Sequence, residues 1–222
     1  GGDLRVLNMA DGTTYRSLLR GLRVMALTVD ESRQRVFAIA EPVPPFPQLP
    51  ATATLLMLDA NVGLPPGSIA GARTPILAVA DVARQQVFVA SDPLAAAYAG
   101  YAAPAAGARI GALDSRSGRL RYTMAVGTHF AGMVLDPRTG HLFVVSAGDL
   151  DHPLHPSAPP ELRMLDAASG AVRATIPIPG RVGPSLLGAA AGRVFVVTAP
   201  YGEVQTSALL SIDTDSGRLV AT

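Results

Sequence analysis

The chain of 222 residues has no cysteine, no tryptophan and no lysine, and its only asparagines are Asn8 and Asn61. Without cysteine there can be no disulfide, no thiolate metal site, no cysteine nucleophile and no C-x-x-C-H haem attachment. Without tryptophan, sugar stacking loses its best side chain. All 18 basic residues are arginine, set against 17 Asp plus Glu. No basic stripe alternates with aromatics, so no nucleic-acid partner is expected. No apolar run reaches the roughly 18 residues that span a bilayer, and no basic segment precedes an apolar one at the N-terminus. A transmembrane segment is therefore not expected within the chain, and any signal or anchor would lie outside it. The arginine bias and scarce asparagine fit codon bias in a GC-rich genome as well as heat tolerance.

What remains is apolar and repetitive. Hydrophobic residues make up 49% of the chain and charged residues 16%, the composition of a globular protein with ample core material. Two anchors recur along its length. The first is a short apolar strand with an aromatic at its second position: Val36-Phe37, Val87-Phe88, Leu142-Phe143 and Val194-Phe195. The second is an apolar strand ending in Asp or Asn, with Gly four residues on: Asn8/Gly12, Asp59/Gly63, Asp114/Gly118, Asp166/Gly170 and Asp213/Gly217. By position, the first recurs after 51, 55 and 52 residues and the second after 51, 55, 52 and 47. A period of roughly 50 with two strand pairs per unit points to propeller blades rather than helical solenoids, whose units run nearer 33 to 45.

The third full unit shows the grammar. Met133-Val134-Leu135 leads into Asp136-Pro137-Arg138-Thr139-Gly140, where Asp caps the turn, Pro presets φ and Gly accepts a positive φ. Leu142 to Ser146 is β-branched and aromatic, as a strand buried on both faces should be. After a polar, Pro-rich insertion from Asp149 to Glu161 come the strand Leu162-Arg163-Met164-Leu165 and the turn Asp166 to Gly170. In Ala171 to Ile178, Val172, Ala174, Ile176 and Ile178 alternate with Arg173 and Thr175, the pattern of a half-exposed outer strand. The expected fold is all-β, a β-propeller of four-stranded antiparallel blades. Its units are a half-blade at 4–22 and blades near 24–70, 75–127, 131–180 and 183–222, read as one domain over 1–222. Five second hairpins against four first hairpins leave two readings, a five-bladed ring or a segment of a larger propeller.

The phrase D-P-x-T-G-x-hydrophobic-aromatic-V followed by hydrophobic-D-x-x-S/T-G resembles the YVTN-type and related seven-bladed-type propeller repeats of bacterial secreted and cell-surface proteins. Asp136 to Val145, Asp114 to Leu120 and Asp166 to Val172 carry it best, and it covers nearly the whole chain. The resemblance implies an extracytoplasmic site and a repeat scaffold with a binding face. Such repeats occur in surface-layer proteins, sensor ectodomains, periplasmic binding partners and a few lyases and dehydrogenase subunits, and fold does not imply function.

The units differ most in the links between their second and third strands: Glu41 to Thr54, Asp92 to Ala108, Asp149 to Glu161 and Pro200 to Ser207. In a propeller these links leave from one rim, and insertions gathered on one face mark a binding surface. Phe46, Tyr98, Tyr101 and Tyr201 lie within them and are candidate partner contacts, since recognition surfaces use exposed aromatics. His129, beside Phe130 where a blade begins, is a further candidate facing a central channel. Asp149, Asp151, His152 and His155 form the one cluster of metal-ligand types, suited to Zn or Mn. Pro153 and Pro156 bar the helix on which H-x-x-H spacing would carry weight, so a solvated loop competes with a metal site. His141 stands where sister units have Arg35 and Gln86 and reads as a surface residue. Asp213-Thr214-Asp215-Ser216-Gly217 lacks the distant Glu of a calcium loop and reads as a turn.

The expected function is a non-catalytic scaffold that binds a protein or cell-surface partner through the Pro-rich face, with no cofactor. Two alternatives stand beside it: a propeller lyase or redox-associated subunit using the His/carboxylate cluster with a divalent metal, and a sensory ectodomain for a small ligand.

Overall fold

The computed structural model describes residues 4–7, 10–19, 21–42, 53–59, 67–68, 75–92, 107–127, 129–147, 159–179, 187–198 and 207–221. The first sheet is a hairpin of β1 (Leu4–Leu7) and β2 (Thr14–Leu18). Next comes β3 (Leu22–Asp30), β4 (Arg35–Pro42), β5 (Thr54–Asp59) and β6 (Gly67–Ser68). The third sheet holds β7 (Pro75–Asp81), β8 (Gln86–Ser91), β9 (Arg109–Asp114) and β10 (Leu120–Ala125). The fourth holds β11 (Phe130–Asp136), β12 (His141–Ser146), β13 (Glu161–Asp166) and β14 (Val172–Pro177). The last is β15 (Leu187–Ala190), β16 (Arg193–Thr198), β17 (Ala208–Asp213) and β18 (Leu219–Ala221). Each four-stranded sheet keeps its strands in chain order and is an antiparallel meander. The repeat phrase is thus one sheet, with the aromatic anchor on its second strand and the Asp anchor closing its third.

The chain forms two compact units, one of Gly1–Pro104 with Leu113–Leu120, the other of Ala105–Ala112 with Arg121–Thr222. In the first, Phe37, Ile39 and Leu55 pack with Ala78, Val87, Val89 and Leu113. In the second, Phe143, Val145, Leu162 and Met164 pack with Val194, Val196, Leu210 and Ile212. Full burial of one such side chain is worth about 1.5–3 kcal/mol, so these inter-sheet layers outweigh any single polar contact in the fold. Second strands are buried on both faces in β4, β8 and β12, but β16 alternates buried and open residues.

The first turns of the second, third and fourth sheets are each four residues long and aspartate-capped, though the hydrogen-bond pattern of the last of these differs from the other two. Asp30, Asp81 and Asp136 each cap theirs, accepting from the backbone N–H of Arg33, Arg84 and Arg138 at 3.2, 3.1 and 3.0 Å. Each of these turns ends in a left-handed residue, and where the third has Gly140 the others place Gln34 and Gln85 at φ 52° and 57°. In the last sheet, the Asp-less sequence makes a two-residue turn at Ala191 and Gly192, both at positive φ, the conformation that matches strand twist in a tight hairpin.

Candidate binding face

In all four four-stranded sheets the longest connection joins the second strand to the third: β4 to β5 across 43–53, β8 to β9 across 92–108, β12 to β13 across 147–160 and β16 to β17 across 199–207. Glu161, at the edge of the expected insertion, belongs to β13 and is ion-paired to Arg163. The partner candidates Phe46, Tyr98, Tyr101 and Tyr201 and the metal candidates Asp149, Asp151, His152 and His155 lie outside the described residues. Among the described residues, no three His, Asp or Glu side chains gather as a metal-binding group.

His129 is described and buried, and its carbonyl accepts from Ala147 N–H at 3.0 Å where β11 and β12 begin and end. His141 is half-buried rather than superficial. Its Nδ1 lies 2.9 Å from the Thr214 carbonyl and its ring meets Phe143 edge-on, 6.4 Å between centroids.

At the opposite ends of the sheets, the third turns described are closed by aspartate caps. Asp114 Oδ1 accepts from the N–H of Arg116 and Ser117, and Asp166 Oδ1 from the N–H of Ala168 and Ser169. Asp213 Oδ1 accepts from Ser216 N–H at 2.8 Å and its hydroxyl at 2.7 Å, so Asp213 to Gly217 is a turn. The residue after each of these aspartates donates its N–H to the end of the first turn of its own sheet: Ser115 to Gln85, Ala167 to Gly140 and Thr214 to Gly192. Where that residue carries a hydroxyl, it also reaches the preceding sheet. Ser115 Oγ donates to Asp30 Oδ2 at 2.9 Å. Thr214 is hydrogen-bonded to Asp136 and accepts from Arg138 Nη2 at 3.0 Å, while Arg138 also holds Asp215 at 2.7 Å.

The same contacts tune the carboxyls. Burial alone would raise Asp30, but Ser32, Ser115, the Arg33 N–H and the Arg33 charge bring it below its ordinary value. Asp136 is likewise pushed up by burial and brought lower by Thr214, Arg138 and Thr139. The Arg173 guanidinium, with Ser169, holds Asp166 well below the usual carboxylate range.

A groove of about 610 Å³ in the second unit is lined by Asp136, Arg138, Arg193, Asp213 and Asp215 with the Ala189–Gly192 segment. Its charges answer one another: Arg138 pairs with Asp215, and Arg193 Nη1 donates to Ser211 Oγ at 3.2 Å. The groove's polar groups therefore serve the seam between two sheets. Sequence reasoning missed this seam. Its signal is the residue after the second-anchor aspartate, Ala60, Ser115, Ala167 and Thr214 in turn, which looks variable until the sheets are neighbours.

No protein-family model matches the chain, and no curated protein matches it in sequence. Its fold is similar to TolB from Acinetobacter baumannii, with a TM-score of 0.58 and 15% identity over 96% of this chain and 46% of that one. It is also similar to BamB from Moraxella catarrhalis, with a TM-score of 0.56 and 13% identity over 99% of this chain and 65% of that one. A third likeness is to an acylaminoacyl peptidase of Pyrococcus horikoshii, with a TM-score of 0.57 and 9% identity over 86% of this chain and 30% of that one. The chain thus spans 46%, 65% and 30% of these proteins. At such identities the likeness shows the fold alone: this is a β-propeller fold.

Proposed function

We propose that this chain is a non-catalytic propeller scaffold that binds a protein or cell-surface partner outside the cytoplasm, through its second-to-third links. The observation that carries the reading is the contrast between the two ends of each sheet. The first and third turns described are short, mostly aspartate-capped and in places tied to the neighbouring sheet, whereas every second-to-third connection is long and differs from its sisters. A rigid frame with variable loops at one strand end is the usual arrangement of a recognition surface. Phe46, Tyr98, Tyr101 and Tyr201 would supply its aromatic contacts. The YVTN-type resemblance supports an extracytoplasmic site.

The test replaces 149–158 with a short Gly-Ser bridge, leaving Glu161 in its strand, and separately makes Tyr98→Ala with Tyr101→Ala. Partner capture from cell-surface fractions should fall while the melting temperature holds. Capture unchanged in both variants would sink the reading. Metal analysis after dialysis addresses the alternative: about one equivalent of Zn or Mn, lost in His152→Ala, would favour the metal-dependent enzyme.

A further inference from the structure

The connection from β10 to β11 passes from one sheet to the next, and it meets both roots of the 147–160 link on the way. At the entry root, the His129 carbonyl accepts from Ala147 N–H at 3.0 Å. Gly127 lies against Ser146, the last residue of β12: its φ is +111°, and a Cβ there would fall 2.5 Å from Ser146 Oγ. At the exit root, Arg163 of β13 reaches back to the preceding sheet. Its Nη1 donates to the carbonyl of Ala125, the last residue of β10, at 3.3 Å, while its Nε and Nη2 hold Oε1 of Glu161, the first residue of β13, at 2.5 Å. Both roots of one link are therefore tied to Ala125, Gly127 and His129.

Part of this belongs to the repeat. Val126 N–H donates to the Ala108 carbonyl at the exit of the 92–108 link, and Ile178 N–H makes the same bond to Pro160 one unit later. The arginine fork does not. Counting back from the second-anchor aspartate, the places of Arg163 and Glu161 are taken in the other four-stranded sheets by Leu56 with Thr54, Gly111 with Arg109 and Leu210 with Ala208; Arg5 of the hairpin sheet shares the place of Arg163. The 199–207 link is closed within its own sheet, between Thr198 and Ala208. Arg163 and Glu161 are 27% and 24% exposed, and an ion pair so open to water adds little stability. What the planar fork does supply is direction, because its donors are fixed relative to one another.

We propose that Arg163 and Gly127 are positioning residues for the 147–160 link: through the β10–β11 connection they hold its two roots as one unit, so that the link meets its partner from a fixed base. A link held at both roots has less freedom to lose on binding. The proposal rests on the partner-binding reading and assigns this link a base that its sister sheets build differently.

The experiment is amide hydrogen exchange on the chain and on Arg163→Ala, Arg163→Lys and Gly127→Ala, with thermal melts and capture from cell-surface fractions alongside. Arg163→Ala alters only the exit root, so the decisive amide is at the far one: exchange at Ala147 should quicken at least about tenfold, as it should in Gly127→Ala. Arg163→Lys keeps the charge without the fork and should recover part of the protection and part of the capture. Capture should fall in Arg163→Ala while the melting temperature holds. Unchanged Ala147 exchange in Arg163→Ala would overturn the shared base, and a loss of capture that only follows a loss of melting temperature would overturn the positioning role. So would capture that survives Arg163→Ala although the Gly-Ser bridge over 149–158 abolishes it. Capture that survives both sinks the partner-binding reading instead, and Ala147 exchange then still decides whether the two roots act as one.

Discussion

The hydroxyl of Ser115 donates a 2.9 Å hydrogen bond to the carboxylate of Asp30, 85 residues earlier in the chain. Both groups are buried. Asp30 opens the first turn of one sheet and Ser115 opens the last turn of the next, so the aspartate of the repeat phrase does two jobs. One oxygen caps its own turn through Ser32 and Arg33. The other latches the neighbouring sheet. Asp136 and Thr214 repeat the relationship in the second unit, with Arg138 added.

Removing a latch should therefore cost more than removing a cap's extra hydroxyl. Ser115→Ala and Thr214→Val each delete a hydrogen bond to a buried carboxylate, and each should lower unfolding free energy by about 1–3 kcal/mol. Ser117→Ala, which removes an exposed hydroxyl from Asp114, should stay within about 0.5 kcal/mol. Urea unfolding of the three variants decides it. Equal losses would mean that the latch adds nothing beyond local turn chemistry.

Acid should weaken the protein through the same carboxylates. Asp30, Asp136 and Asp166 all have folded-state pKa values below their ordinary ones. A depressed carboxyl contributes stability that is complete above its unfolded pKa, near 3.9, and is lost as pH falls through the folded value. Urea midpoints should thus be level between about pH 5 and 7 and fall progressively below about pH 4 to 5. Asp166→Asn should flatten part of that acid limb while lowering the neutral plateau, because the Arg173 contact is gone. An unchanged acid slope in Asp166→Asn would show that Asp166 is not linked to folding.

Strand pairs and turns were legible in the sequence because their chemistry is local. An aspartate capping two amides, a glycine at positive φ and a Val-Phe pair in a buried strand need only neighbours within a few residues. The latch was not legible, since its two partners lie far apart and the hydroxyl position is alanine at Ala60 and Ala167. His141 was misread for a related reason. Long polar side chains at Arg35 and Gln86 imply solvent at that position, but Gln86 is itself buried against Asp81 and His141 is half-buried, its ring against Phe143 and the Thr214 carbonyl. The candidate partner aromatics and the Asp149–His155 cluster stand in Pro-, Ala- and Gly-rich links, where no periodicity ties residue type to position, and they lie outside the described residues.

Gly170 should be among the least replaceable residues of the repeat. Its φ is +75°, and a Cβ there would come within 2.7 Å of Met124 Cγ and 3.0 Å of Tyr122 Cε2. Left-handed backbone costs a non-glycine residue about 1–2 kcal/mol, and overpacking adds about 1–3 kcal/mol. Gly12 has φ +70° with nothing within 4 Å of that Cβ, so Gly12→Ala should show the backbone cost alone. Unfolding free energies should rank Gly170→Ala well below Gly12→Ala, and adding Met124→Ala to Gly170→Ala should recover part of the difference. Equal costs would remove the packing explanation.

The bared last sheet makes a prediction about the aromatic anchors themselves. Phe143 is fully buried between packed sheets, while Phe195, at the same place in the phrase, is only half-buried beside the open Val197. Truncating a fully enclosed Phe leaves a cavity and costs about 3–5 kcal/mol. Solvent already reaches one side of Phe195, so less apolar surface is exposed when it is truncated and the site can collapse or fill with water. Phe195→Ala should cost about half as much as Phe143→Ala by urea unfolding at concentrations where the chain is monomeric, the cost being proportional to the buried area lost. Equal penalties for Phe195→Ala and Phe143→Ala would mean that Phe195 is enclosed as fully as Phe143.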